Sequence, residues 1–116
     1  MFHGSVDRSE TTPLYDQVAA EIRRAIADGE AAPGERLPPA RDLAAVLGVN
    51  TNTVFRALRA LRAEGLLEFQ RGRGVRVAAQ ASERSLVISR TRELVRHARR
   101  QGIRREELIG IINLMP

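Results

Sequence analysis

Residues 40–58 read Ala-Arg-Asp-Leu-Ala-Ala-Val-Leu-Gly-Val-Asn-Thr-Asn-Thr-Val-Phe-Arg-Ala-Leu, and their reading decides the fold. Leu43, Val46 and Leu47 give the apolar spacing of a short helix, opened by Pro38-Pro39 and closed by Gly48, the residue type that tolerates the left-handed conformation after a helix end. Only Val49 separates that glycine from Asn50-Thr51-Asn52-Thr53, a polar run suited to capping a further helix that reaches Glu64. The spacing predicts a helix, a tight glycine turn and a helix.

Working outward, Leu14, Val18, Ile22 and Ile26 recur every fourth residue from Thr12-Pro13 until Gly29, which predicts a first helix with Thr12 as its cap. A loop with Pro33 and Gly34 leads to Glu35-Arg36-Leu37, expected as a short strand. After Gly65, residues 66–70 and 75–79 carry the branched and aromatic side chains of strands, joined by Arg71-Gly72-Arg73-Gly74. Three helices and a hairpin with a basic tip describe a mainly α fold, a winged helix-turn-helix.

Beyond a polar joint at residues 80–83, Val87, Thr91, Leu94, Val95 and Ala98 line one face of a fourth helix, and Gly102-Ile103 has the form of a glycine cap with its apolar contact. A fifth helix starts near Arg105, where Leu108, Ile109, Ile111, Ile112 and Met115 crowd more apolar surface than a solvent-facing helix of a monomer carries. So short a tail cannot fold alone. Val87, Leu94, Val95, Leu108, Ile109 and Ile112 are therefore expected to pair two subunits. The expected organisation is an N-terminal arm at 1–10, a winged helix-turn-helix at 11–79 and a two-helix dimerisation segment at 80–116.

Composition narrows the function. A chain of 116 residues accommodates one compact domain with an appendage, and excludes two enzyme lobes. The absence of Cys excludes disulfides and thiolate metal sites, and His3 and His97 are too few for a ligand cluster, so no metal or cofactor is expected. No apolar run approaches the roughly 18 residues of a membrane span, and the start lacks the pattern of a secretory signal. A cytoplasmic, nucleoid-associated protein is expected. No paired carboxylates, activated nucleophile or phosphate loop suggests an enzyme, since Gly72-Arg73-Gly74 lacks the following helix and Lys.

All 19 basic residues are Arg, a bias that the abundance of Ala and Gly traces mainly to a GC-rich coding sequence. Their distribution says more. Residues 1–49 carry net −3, whereas residues 50–79 and residues 80–116 each carry net +4. At about 100° per residue, with Asn52 at zero, Val54, Leu58 and Leu61 fall at about 200°, 240° and 180°, and Arg56 and Arg59 at about 40° and −20°. That is the layout of a recognition helix, with an apolar stripe anchored inward and an outer face that reaches base edges. Asn suits adenine, and Thr suits a phosphate or a thymine methyl. Asn50 is equally suited to capping alone.

Leu37-Pro38-Pro39-Ala40-Arg41-Asp42-Leu43-Ala44, with Leu47-Gly48-Val49-Asn50-Thr51-Asn52-Thr53-Val54, resembles the GntR family of bacterial transcription regulators. Thr12-Pro13-Leu14-Tyr15-Asp16-Gln17, Leu61-Arg62-Ala63-Glu64-Gly65-Leu66 and the Arg-Gly-Arg-Gly tip extend the match over residues 11–79, and the two-helix tail is similar to the short YtrA type. The resemblance implies a homodimer that binds an inverted-repeat operator, usually as a repressor of its own operon and often of transport genes. It places Arg41, Asn50, Thr51, Asn52, Thr53, Arg71, Gly72 and Arg73 against DNA; the outward projection of the third helix adds Arg56, with Arg59 as a candidate backbone contact. Thr51 and Phe55 stand where some members have arginines; Pro39 and Arg104 stand where Ser or Thr often caps a helix. The competing readings are a ligand-gated regulator with an effector site at the dimer joint, for which Arg96, His97, Arg99 and Arg100 are the anion-binding candidates, and an accessory protein-interaction module with non-specific DNA affinity. The sequence names no effector.

Overall fold

The computed structural model describes residues 2, 6–9 and 11–116. The expectations for His3 and for positions 1, 4, 5 and 10 of the arm lie outside the described residues. The described elements are α1 (Leu14–Ala27), α2 (Ala40–Leu47), α3 (Thr51–Ala63), β1 (Leu67–Gln70), β2 (Gly74–Val77), α4 (Ala81–Arg100) and α5 (Arg105–Asn113). They fall into two compact units, Met1–Ser85 and Leu86–Pro116.

In the first unit α1 turns Val18, Ala19, Ile22, Ala25 and Ile26 inward, all fully buried, against Val54, Ala57, Leu58 and Leu61 of α3. Pro13, rather than Thr12, is the N-cap, and its carbonyl accepts from the N–H groups of Asp16 and Gln17. Phe2, which the sequence assigns to an irregular arm, is buried.

In α2, Leu43, Ala44 and Leu47 enter the core, but Val46 is 60% exposed, contrary to its expected place on the apolar face. An eight-residue helix buries one narrow stripe, and Val46 lies about 100° away from its middle. Gly48 then adopts φ 70°, and the N–H of Val49 bonds the Ala44 carbonyl at 3.0 Å. A side chain at Gly48 would carry the left-handed penalty of about 1 kcal/mol or more, so glycine here sets the sharp turn into α3.

The wing is an antiparallel pair in which Leu67 faces Val77 and Phe69 faces Val75. The strand expected at residues 35–37 is instead a single bridge, Arg36 to Arg76, flanked by hydrogen bonds from Leu37 N–H to the Val75 carbonyl and from Val77 N–H to the Glu35 carbonyl. Pro38 and Pro39 follow at once and have no N–H with which to extend it.

Of the polar joint expected at residues 80–83, only Gln80 lies outside a helix. Helix α4 begins at Ala81, which is fully buried, and Ser85 donates its hydroxyl to the Arg23 carbonyl at 3.2 Å. A polar run reads as a loop because such side chains ordinarily need water. Here the buried Ala81 anchors the run, and the Arg84 N–H closes the first turn on the Gln80 carbonyl at 3.1 Å.

In the second unit the glycine cap is present: Gly102 has φ 77° and Ile103 N–H reaches the Ala98 carbonyl at 2.9 Å. Arg104 precedes α5, and the Glu107 carboxylate accepts from its backbone N–H at 3.3 Å and its Nε at 3.1 Å, so Glu107 does the capping that Arg104 cannot. Only Ala98 and Leu108 among the described apolar side chains of this unit are buried.

Candidate nucleic-acid interface

The interface is organised by the two faces of α3. Its inner stripe is buried, and Asn52, Arg56 and Arg59 are exposed on the opposite side. Asn50 is the N-cap: its Oδ1 accepts from Asn52 N–H at 2.8 Å. The carbonyl end of that side chain is therefore occupied by the helix, which leaves the amide end to face outward partners. Thr51 and Thr53 are half-buried in the first turn. The first-turn N–H groups and the helix dipole favour an anion at this end.

Two aromatic residues flank that outer face. On one side the Arg56 guanidinium stacks 4.0 Å from the centroid of Tyr15 on α1. On the other, Phe55 stands 44% exposed and shares a groove with Leu58, Phe69, Val75 and the wing-tip residues Gln70, Arg71 and Gly72. Arg62 covers Phe69 at 4.4 Å from the ring centroid. The groove brings α3 and the wing together on one surface.

At the wing tip the Arg73 N–H bonds the Gln70 carbonyl at 2.9 Å, and Gly72, third in the turn, has φ 75°, the conformation a type II turn demands there. Nothing lies within 4 Å of where a Cβ would sit on Gly72, so the tip presents bare backbone between the exposed Arg71 and Arg73. Arg41 is exposed in the first turn of α2.

Sequence reasoning missed several contacts. Arg8 donates from Nη2 to the Gly48 carbonyl, and Gln17 joins the arm by accepting from Asp7 N–H at 2.7 Å and donating to its carbonyl at 2.9 Å. The Asp7 carboxyl is held below the usual carboxylate range chiefly by the Ser9 hydroxyl, with help from its N–H. No periodicity announces such an arm contact. Phe55, by contrast, was legible at about −60° on the same helical projection.

Of the residues expected to pair subunits, Val87, Leu94, Ile109 and Ile112 are exposed, Val95 is half-buried and Leu108 is already covered by its own unit. Leu94, Val95, Leu108, Ile109 and Ile112 line one shallow apolar groove between α4 and α5. Arg96, His97, Arg99 and Arg100 are all exposed. Among the described residues there is no group of side chains placed to hold a metal ion and no helix long and apolar enough to cross a membrane.

A three-helix core, a glycine turn into an outward-facing helix and a basic hairpin define a DNA-binding winged helix-turn-helix. The chain belongs to the GntR family: residues 14–77 match the bacterial regulatory proteins of that family. It is 29% identical over 109 residues to the HTH-type transcriptional repressor YtrA of Bacillus subtilis, covering 89% of this chain and 84% of that one. A GntR family transcriptional regulator from Listeria monocytogenes superposes with a TM-score of 0.67 at 25% identity, covering 96% of this chain and all of that one. The DNA-binding domain of AraR, solved in complex with operator ORX1, superposes with a TM-score of 0.61 at 28% identity over 67% of this chain and 99% of that one. The chain is a transcriptional regulator with a DNA-binding domain, and its relatives are regulators rather than enzymes.

Proposed function

We propose that the protein is a homodimeric repressor that binds an inverted-repeat operator. The observation that carries this reading is the shared groove of α3 and the wing, which sets the outer residues of the helix beside a bare, basic hairpin tip. In this reading Asn50, Thr51, Asn52, Thr53 and Arg56 face bases in the major groove, Arg41 holds a phosphate, and Gly72 with Arg71 and Arg73 enters the neighbouring minor groove. AraR, whose domain is solved on operator DNA, supports a DNA partner of the same kind.

The second unit supplies the pairing. Two buried apolar residues cannot hold two helices together, yet Val87, Leu94, Ile109 and Ile112 are exposed, so a partner copy is the natural cover for them. Two copies of α3 then address half-sites about 34 Å apart, and the symmetry of the dimer sets that of the operator. Occupancy of a promoter excludes polymerase, which is repression. Such activity places the protein on the nucleoid, in the cytoplasm.

Selection of bound duplexes from a random DNA pool tests the whole reading. An inverted repeat is expected. Binding that depends on salt but not on sequence would replace it with the accessory-module reading.

A further inference from the structure

We propose that Phe55 reads a base: its ring receives the 5-methyl group of a thymine in each operator half-site. The inference rests on the DNA-reading role of α3 and names a chemistry for a position with no hydrogen-bonding group.

Phe55 and Phe69 are both exposed, and both border the groove between α3 and the wing. Phe69 is accounted for by the Arg62 guanidinium above its ring. Among the described residues no such cation covers Phe55. An aromatic ring 44% open to water on the flank of a recognition helix, about 60° from Asn52, is surface left for something to cover. The floor beside it is apolar, with Leu58, Phe69 and Val75, and its rim carries Arg71. DNA offers the matching combination: phosphates for the rim and, on base edges of the major groove, the thymine methyl as the distinctive apolar group.

The test uses the full-length protein and the duplex recovered from random selection. Each thymine is replaced in turn by uracil, which pairs identically and lacks only the methyl. At one symmetric position, replacement should weaken binding about fourfold per half-site, the equivalent of one buried methyl. Phe55→Ala should bind the thymine and uracil duplexes equally, and Phe55→Leu should keep part of the preference, with melting curves confirming that both variants fold. A selected operator without thymine in the half-site, insensitivity of the unaltered protein to every replacement, or a sensitivity that survives in Phe55→Ala would overturn the assignment. In those cases sequence preference itself persists, and the reading of α3 stands. Loss of all sequence preference would overturn both.

Discussion

The Arg23 guanidinium of α1 closes on the Glu64 carboxylate at the end of α3 through two hydrogen bonds, Nε to Oε1 at 2.7 Å and Nη2 to Oε2 at 2.6 Å. A carboxylate at a helix C-terminus opposes the helix dipole, and the paired cation offsets it. The same locus gathers the start of α4: the Glu64 carbonyl accepts from Arg84 Nε at 3.2 Å, and the Arg23 carbonyl accepts from Ser85. Three helices are thereby fastened at the C-terminal end of α3.

Removing one partner strips the other, largely buried, of two charge-assisted hydrogen bonds. Arg23→Ala or Glu64→Ala should therefore cost about 3 kcal/mol in urea unfolding, whereas a paired apolar replacement such as Arg23→Met with Glu64→Leu should be near neutral. Additive single-mutant costs would show that the pair is not coupled.

Asn50 separates a structural role from a reading role. Asn50→Ala should lose about 1 kcal/mol of stability with the Asn52 N–H bond, while Asn50→Ser keeps a cap and most of that stability. Under the proposed function Asn50→Ser should still lose discrimination at one base position. Unchanged operator preference would leave Asn50 as a cap alone.

Arg71 and Arg73 are exposed on either side of Gly72. If both meet phosphates, replacing them by Ala should shallow the slope of log affinity against log salt by roughly 0.9 for every phosphate no longer neutralised in each subunit. Asn52→Ala should instead cost about 1–3 kcal/mol at one base pair and leave the slope nearly unchanged. Filter binding across a salt series reads both.

Ile109 and Leu108 are neighbours with opposite exposure, 50% against 8%. Ile109→Asp should give monomers in sedimentation, with helical signal lost from the tail once its partner cover is gone. Leu108→Ala should lower stability by about 2–5 kcal/mol through the cavity it leaves. A dimeric Ile109→Asp protein would move the interface elsewhere.

The sequence by itself determined the order of elements. The period of Leu14, Val18, Ile22 and Ile26, the glycine between two apolar stripes and the branched runs around Arg71-Gly72-Arg73-Gly74 are local signals, and local signals specify helices, turns and hairpins because backbone geometry repeats over a few residues. It also separated the buried and outer faces of α3, since a single helix obeys one rotation.

What each polar or aromatic side chain does was decided only by tertiary structure. In sequence Arg84 is one more arginine of a basic tail; in the fold it holds the end of α3, 20 residues away. Val46 belonged to an apolar pattern and faces water, while Phe2 belonged to an irregular arm and is buried. Arg56 meets Tyr15 and Arg8 meets Gly48 across 41 and 40 residues of sequence. Such pairings depend on which surfaces the packed helices bring together, and no local period encodes them. Even the count of 19 arginines resolves into distinct roles only when each guanidinium has a place.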